Sequence, residues 1–199
     1  MRSRLTAHFF AIVLSFVASI YSDLTYGQTV TCIIPPEGGT CDLPGFVSVT
    51  FPRGAFIVRI PVTVSVTNFP ETREVLDITV GNPRLPYEIR INSGNVAPVT
   101  SVDVMFNVPD QLTASVPPDQ RLQVFAQIYD AGKEEILDHF HDFPSTFDPV
   151  TKKADANLPM HAFSNRRQLD LTYEAIVIMG AIPTLPTVGS KGKRESKFR

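Results

Sequence analysis

The chain has 199 residues, 43% of them hydrophobic, with 14 Phe, no Trp and a formal net charge of −2. That is ordinary globular material, long enough to bury one core, and it lacks the basic field that draws in nucleic acid. The 17 Pro exclude long helices, and with abundant β-branched residues they favour many short strands joined by Pro-containing loops.

The N-terminal segment reads as a leader. Arg2 and Arg4 precede an apolar run from Phe9 to Ile20, with small residues at Ser19, Ser22 and Gly27. The run is too short to span a bilayer comfortably, which disfavours a retained anchor, and the layout is that of a cleavable secretory signal over residues 1–27. Cleavage after Ser22 or Gly27 fits best, and after Ser19 it also fits. Cys32 lies well beyond the run and has no lipobox before it, which argues against a lipoprotein. The expected location is therefore extracellular, periplasmic or in the cell envelope.

Cys32 and Cys41 are the two cysteines. In an exported protein a close pair reads as a disulfide rather than as two free thiols. Pro35, Pro36, Gly38 and Gly39 between them supply a turn, and closing so small a loop contributes about 2–3 kcal/mol in the chain-entropy model.

From residue 28 to residue 182 the chain reads as one β domain. Thr29 to Ile34 alternates. Phe46 to Phe51 places Val47, Val49 and Phe51 on one face, and Val62 to Thr67 alternates until Asn68-Phe69-Pro70. Leu76 to Val80 is a further strand candidate. Tyr87 to Ile91 is predicted to pair with Val99 to Val108 as a hairpin through Asn92-Ser93-Gly94-Asn95, whose Gly and Asn permit positive φ. The second of these strands stops at Pro109, and Pro117-Pro118-Asp119 turns the chain. Leu122 to Tyr129 presents Leu122, Val124, Ala126 and Ile128 on one face. Asp130-Ala131-Gly132-Lys133 turns it into Glu134 to His139. Lys153 to Leu158 and Leu169 to Ile178 complete the set. Helical turns are expected only within Val108 to Val116 or Glu134 to Phe140. This spacing predicts an all-β, antiparallel sandwich or partly open barrel.

The apolar stretch Ala175 to Ile182 is far below spanning length and reads as a buried last strand, so no transmembrane helix is expected in the mature chain. Residues 183–199 are basic and lack apolar periodicity, which predicts a disordered tail. Such a tail has the charge to touch an acidic surface, a phosphate-rich polymer or lipid headgroups, although a merely solvated terminus is the plainer reading.

Several short motifs go beyond strand statistics. Gly38-Gly39-Thr40, a strand, then Phe51-Pro52-Arg53-Gly54-Ala55-Phe56 and Val62 to Val66, resemble the start of a ZU5-like domain. Pro52 cannot continue a ladder, and Gly54 permits a turn that a β-carbon would hinder. Leu158-Pro159-Met160-His161-Ala162-Phe163-Ser164 looks like the end of such a domain, where a strand closes on Phe-Ser. The resemblance spans roughly Cys32 to Ser164. It implies a ZU5-like, immunoglobulin-like sandwich engaged in protein–protein contact. Some relatives cleave themselves at His-Phe-Ser through the Ser hydroxyl. Phe163 and Ser164 match that motif, but Ala162 stands where the His belongs. His161, one residue back, would face away in a strand, so self-cleavage is not expected.

Asp138-His139-Phe140-His141-Asp142 is the one cluster with metal-ligand character. In an extended strand His139 and His141 share a face, which suits Zn or Cu, with His161 or an Asp as a third ligand. The competing reading is a polar edge with Phe140 and Phe143 as its buried members. Glu134, Glu135, Asp138 and Asp142 read as surface charge rather than an acid/base pair. Asp148-Pro149-Val150-Thr151 lacks the spacing of a calcium loop and reads as a β-turn. No phosphate loop, nucleophile elbow or Cys/His pairing occurs. The sequence therefore points to an exported non-enzymatic module that contacts a protein or a surface polymer, with no cofactor. The alternative is a metal-binding secreted protein or metal-dependent enzyme using His139 and His141.

Overall fold

The computed structural model describes residues 27–68, 82–130, 135–165 and 173–184. Side-chain placements at 128–130, 135–141 and 164–165 lie outside that description. Among the described residues twelve strands form, in chain order β1 (Thr29–Ile34), β2 (Gly39–Leu43), β3 (Val47–Phe51), β4 (Ile60–Asn68), β5 (Tyr87–Asn92), β6 (Val102–Asn107), β7 (Gln120–Asp130), β8 (Glu135–Phe143), β9 (Ser145–Asp148), β10 (Lys153–Leu158), β11 (Ser164–Asn165) and β12 (Tyr173–Pro183). One short helix, α1 (Asp110–Ser115), and a 3-10 turn at Met160–Ala162 are the helical pieces described. The fold is an antiparallel β-sandwich: one sheet runs β1-β4-β5-β12-β7-β8, with β11 added on β12, and the other runs β2-β3-β6-β10-β9.

Period-two patterning explains the second sheet. Val47, Val49 and Phe51 on β3, Val102, Val104 and Phe106 on β6, and Ala154, Ala156 and Leu158 on β10 are buried. The residues between them, Ser48, Asp103, Asp155 and Asn157 among them, lie on the opposite face and keep water contact. In the first sheet Ile60, Val62, Val64 and Val66 of β4 and Tyr87, Ile89 and Ile91 of β5 meet those side chains to close one core. Phe46 packs its edge against Tyr87 at a centroid distance of 5.3 Å, and Phe51 lies against Phe56 at the same distance.

Two central strands break the one-sided pattern. The expected alternating face of Leu122, Val124 and Ala126 is buried, but so are Gln123, Phe125 and Gln127 between them. All residues of β12 from Glu174 to Ala181 are buried as well. Phe125, Ile176 and Ile178 form a second, small apolar cluster on the side away from the main core, with Ile182 packed on it. A strand shielded on both faces reads as a continuous apolar run, as β12 does. Glu88, fully buried on the same side of β5, accepts hydrogen bonds from the Arg90 guanidinium and from the Thr67 hydroxyl. That arrangement supplies the charge partner a buried carboxylate requires.

The predicted hairpin of Tyr87–Ile91 with Val99–Val108 does not form. β5 pairs with β4 and β12, whereas β6 pairs with β3 and β10 in the other sheet. The reversal at Asn92-Ser93-Gly94 is present: the Gly94 N–H donates to Asn92 Oδ1 at 2.8 Å. Its backbone, however, is tied to other elements. The Ser93 N–H donates to the Tyr173 carbonyl, the Tyr173 N–H to the Gly94 carbonyl, and the Val99 N–H to the Ala55 carbonyl. The loop is a crossover between layers.

Other boundaries shift. The described part of the second helical candidate, from Glu135 on, is strand: β8 occupies Glu135–Phe143. A helical turn does form in the first candidate segment, where α1 buries Leu112. Met160–Ala162 is a 3-10 turn rather than part of a closing strand, because Pro159 cannot donate to a ladder and its carbonyl accepts from the Ala162 N–H. Among the described residues pairing begins at Gly27, whose N–H donates to the Val66 carbonyl, and extends to Thr184, whose N–H donates to the Asp119 carbonyl. The strand candidate Leu76–Val80, the leader up to residue 26 and the tail from residue 185 lie outside the described residues. Among the described residues no helix is long and apolar enough to cross a membrane.

The disulfide forms between Cys32 and Cys41, with Cα atoms 5.6 Å apart. Cys32 sits on β1, at one edge of the first sheet, and Cys41 on β2, at one edge of the second. The bridge therefore clamps the two layers together along one side of the sandwich.

Candidate functional site: a polar groove on the five-stranded sheet

The outward positions of β3, β6 and β10 line a groove of about 750 Å³. Antiparallel register builds its floor as two rows. Thr50, Asp103 and Asn157 stand opposite one another in the first row, with Thr40 extending it onto β2. Ser48, Met105, Asp155 and Thr146 form the second, ending on β9. Each row spans neighbouring strands, which places its side chains at the inter-strand spacing of about 4.8 Å. Asn157 Nδ2 donates to Asp103 Oδ1 at 2.6 Å, and the Thr40 and Thr50 hydroxyls are 3.0 Å apart.

The wall comes from the corner where Pro144 carries the chain from β8 of one sheet to β9 of the other. There Gln123 is buried and donates through Nε2 to the Phe143 carbonyl, while the Val124 N–H donates to Ser145 Oγ at 3.2 Å. Arg121 and Asp142 add one guanidinium and one carboxylate. Among the described residues the lining holds three carboxylates, at Asp103, Asp142 and Asp155, against the one guanidinium of Arg121, and no aromatic ring. Chemically the described lining is a hydrogen-bonding surface of carboxylate, amide and hydroxyl groups.

A second concavity of about 490 Å³ lies where α1 meets residues 84–87, lined chiefly by Phe46, Leu85, Tyr87 and Leu112. It is mostly apolar, with Arg84, Asn107, Gln111 and Ser115 among its lining residues.

The predicted site residues are placed as follows. Of Asp138-His139-Phe140-His141-Asp142, Asp142 reaches the groove, and the other four side chains lie outside the described residues. The β7–β8 register is regular from Phe140 to Phe143 and shifts between Gln127 and Tyr129. Among the described residues no group of three His, Cys, Asp or Glu side chains is placed to hold a metal ion. His161, proposed as a third ligand, is exposed in the 3-10 turn with its ring 6.2 Å from that of Phe143. Phe143 is buried, and the side chain of Phe140, the other member named for the polar-edge reading, lies outside the described residues. Phe163 is also buried, and the Ser164 side chain lies outside the described residues.

Asp148 begins a turn, as predicted. Its carboxylate accepts from the Thr151 hydroxyl at 2.7 Å and from the Val150 N–H at 2.8 Å, and these bonds hold its pKa below the ordinary value of 3.8. Asp103, Asp155 and Asn157 were not singled out by sequence reasoning. The signal available for them was their place at polar positions within alternating strands. No protein-family model matches the chain, and a search of curated proteins finds no match.

Proposed function

We propose that this chain is an exported, non-enzymatic binding module whose five-stranded sheet engages a hydroxyl-rich surface polymer. The observation that carries the reading is the pair of cross-strand polar rows, Thr50-Asp103-Asn157 and Ser48-Met105-Asp155-Thr146. Carboxylate and amide oxygens accept from polymer hydroxyls, and the Asn157 amide and the Thr and Ser hydroxyls donate back. Spacing along the rows favours an extended chain over a compact small molecule. A groove of this size suits several residues of such a chain.

Export is part of the same reading. Arg2, Arg4 and the run from Phe9 to Ile20 have the form of a leader, and the bond between Cys32 and Cys41 suits oxidising surroundings. The ZU5-like motifs around Gly38 and Phe163 support a contact-making rather than a catalytic role.

The test is calorimetric titration of purified protein with a panel of neutral and basic polysaccharides, beside an Asp103→Ala/Asn157→Ala variant. Both substituted residues are exposed, so the fold is expected to survive. Binding to at least one polysaccharide, weakened about tenfold or more in the variant, is the expected result, since one charge-assisted and one neutral hydrogen bond are lost together. Absence of binding across the panel, or equal affinity in the variant, rejects the groove as the site.

A further inference from the structure

A different part of the surface carries an apolar tip. Between β3 and β4 the chain reads Pro52-Arg53-Gly54-Ala55-Phe56-Ile57-Val58-Arg59. Ala55 and Phe56 are buried, while Ile57 is 82% and Val58 53% exposed. The exposure belongs to an ordered loop: the Ala55 N–H donates to the Pro52 carbonyl, the Gly54 N–H to the Pro36 carbonyl, and the Phe56 ring is anchored against Phe51. The Val99 N–H donates to the Ala55 carbonyl, which brings a second loop alongside, and Val99 is 59% exposed. Ile33, 61% exposed and opposite Pro61, continues this surface towards the β1 edge.

Charge decides what such a tip fits. Arg53 and Arg59 flank it and are exposed. The segment 52–61 contains no carboxylate, and neither does the crossover 92–101. Glu37, on the adjoining β1–β2 turn, is the one acid among these three loops. Branched aliphatic side chains projecting between guanidinium groups match a bilayer interface. The guanidinium groups pair with lipid phosphates, and the aliphatic groups enter the boundary with the acyl chains.

We propose that the β3–β4 loop, with Ile57 and Val58 at its tip and Arg53 and Arg59 at its base, docks the protein on an anionic lipid surface. This site lies on loops apart from the polar groove, and either can fail without the other. The occupant is a membrane rather than a folded protein partner because the apolar groups sit on an exposed turn with cations on both sides.

The test is co-sedimentation of the purified protein with phosphatidylcholine vesicles containing phosphatidylglycerol, compared with pure phosphatidylcholine. Wild type is compared with Ile57→Ser/Val58→Ser and with Arg53→Gln/Arg59→Gln. All three proteins are identical outside the loop, so differences between them report the loop alone. The expected result is a preference for the anionic vesicles and a loss of about tenfold or more in partitioning for the Ser pair. The Gln pair should also lose most of the salt sensitivity. Circular dichroism should show both variants folded, since all four side chains are exposed. Equal partitioning of wild type and the Ser pair, no vesicle binding by wild type, or loop-dependent capture of a protein with no lipid binding each overturns the proposal.

Discussion

Gly38 and Gly54 share the left-handed backbone region, with φ of 89° and 80°, yet they tolerate a side chain differently. A β-carbon on Gly38 would lie 2.5 Å from the Phe51 carbonyl oxygen and 2.8 Å from the Pro52 carbonyl carbon, both backbone atoms. One on Gly54 would meet nothing within 4 Å. The need for glycine at Gly54 is thus purely conformational, whereas at Gly38 the β1–β2 turn and the end of β3 must also touch. Gly54→Ala is expected to cost about 1–2 kcal/mol from the left-handed backbone alone. Gly38→Ala should cost clearly more, about 3 kcal/mol or above, because a buried backbone contact must open as well. Urea denaturation followed by circular dichroism measures both, and equal costs would contradict the contact. The same scale holds a pH-dependent group. Asp148 has a folded-state pKa below 3.8, caused first by the Thr151 hydroxyl and then by the Val150 N–H. Its contribution is present above the unfolded value and disappears as pH falls through the folded one. A Thr151→Val variant should therefore show the Asp148 carboxyl titrating nearer 3.8 by NMR, with the wild-type group titrating lower.

At the scale of elements, the disulfide ties two edge strands belonging to different sheets. Replacing Cys32 and Cys41 with Ala should lower stability by about 2–3 kcal/mol, from the loop entropy restored to the unfolded chain. Chemical denaturation of the oxidised protein beside the double variant checks this, and a difference near zero would mean that the layers need no clamp. Element identity was legible wherever one face meets water: β3, β4, β6 and β10 follow the alternation of their Val, Ile, Phe and Ala residues. Pairing was less legible. Asn92-Ser93-Gly94 announces a reversal, but the same residues serve a hairpin and a crossover, and only contacts with Tyr173 and Ala55 decide between them. β2 was missed because Gly39 and the two-cysteine segment read as a turn. The groove was hidden for a related reason. Asp103 and Asn157 are 54 positions apart in sequence, and nothing local shows that they meet. Asp142 was noticed as a metal-cluster member, yet what places it in the groove is the corner at Pro144.

At the scale of the whole molecule, the two candidate surfaces occupy different regions. The polar groove lies across the second sheet, and the apolar tip projects from the loop joining β3 to β4. The net charge of −2 is spread so that the groove carries three carboxylates and the tip two guanidinium groups. A single sandwich could therefore hold a polymer on one surface while resting on lipid with another. The core permits this division because most of its side chains come from inward strand positions, leaving other outward positions and loop residues open to specialise.

The strand order has a further consequence, for how the chain is made. β1, β4 and β5 form one flank of the larger sheet and β7 and β8 the other, and β12 lies between them. A nascent chain cannot close that sheet until its last described strand has cleared the ribosome. Until then two bare edges await the same partner, and a chain ended before residue 173 should aggregate rather than refold, as a sedimentation assay would show.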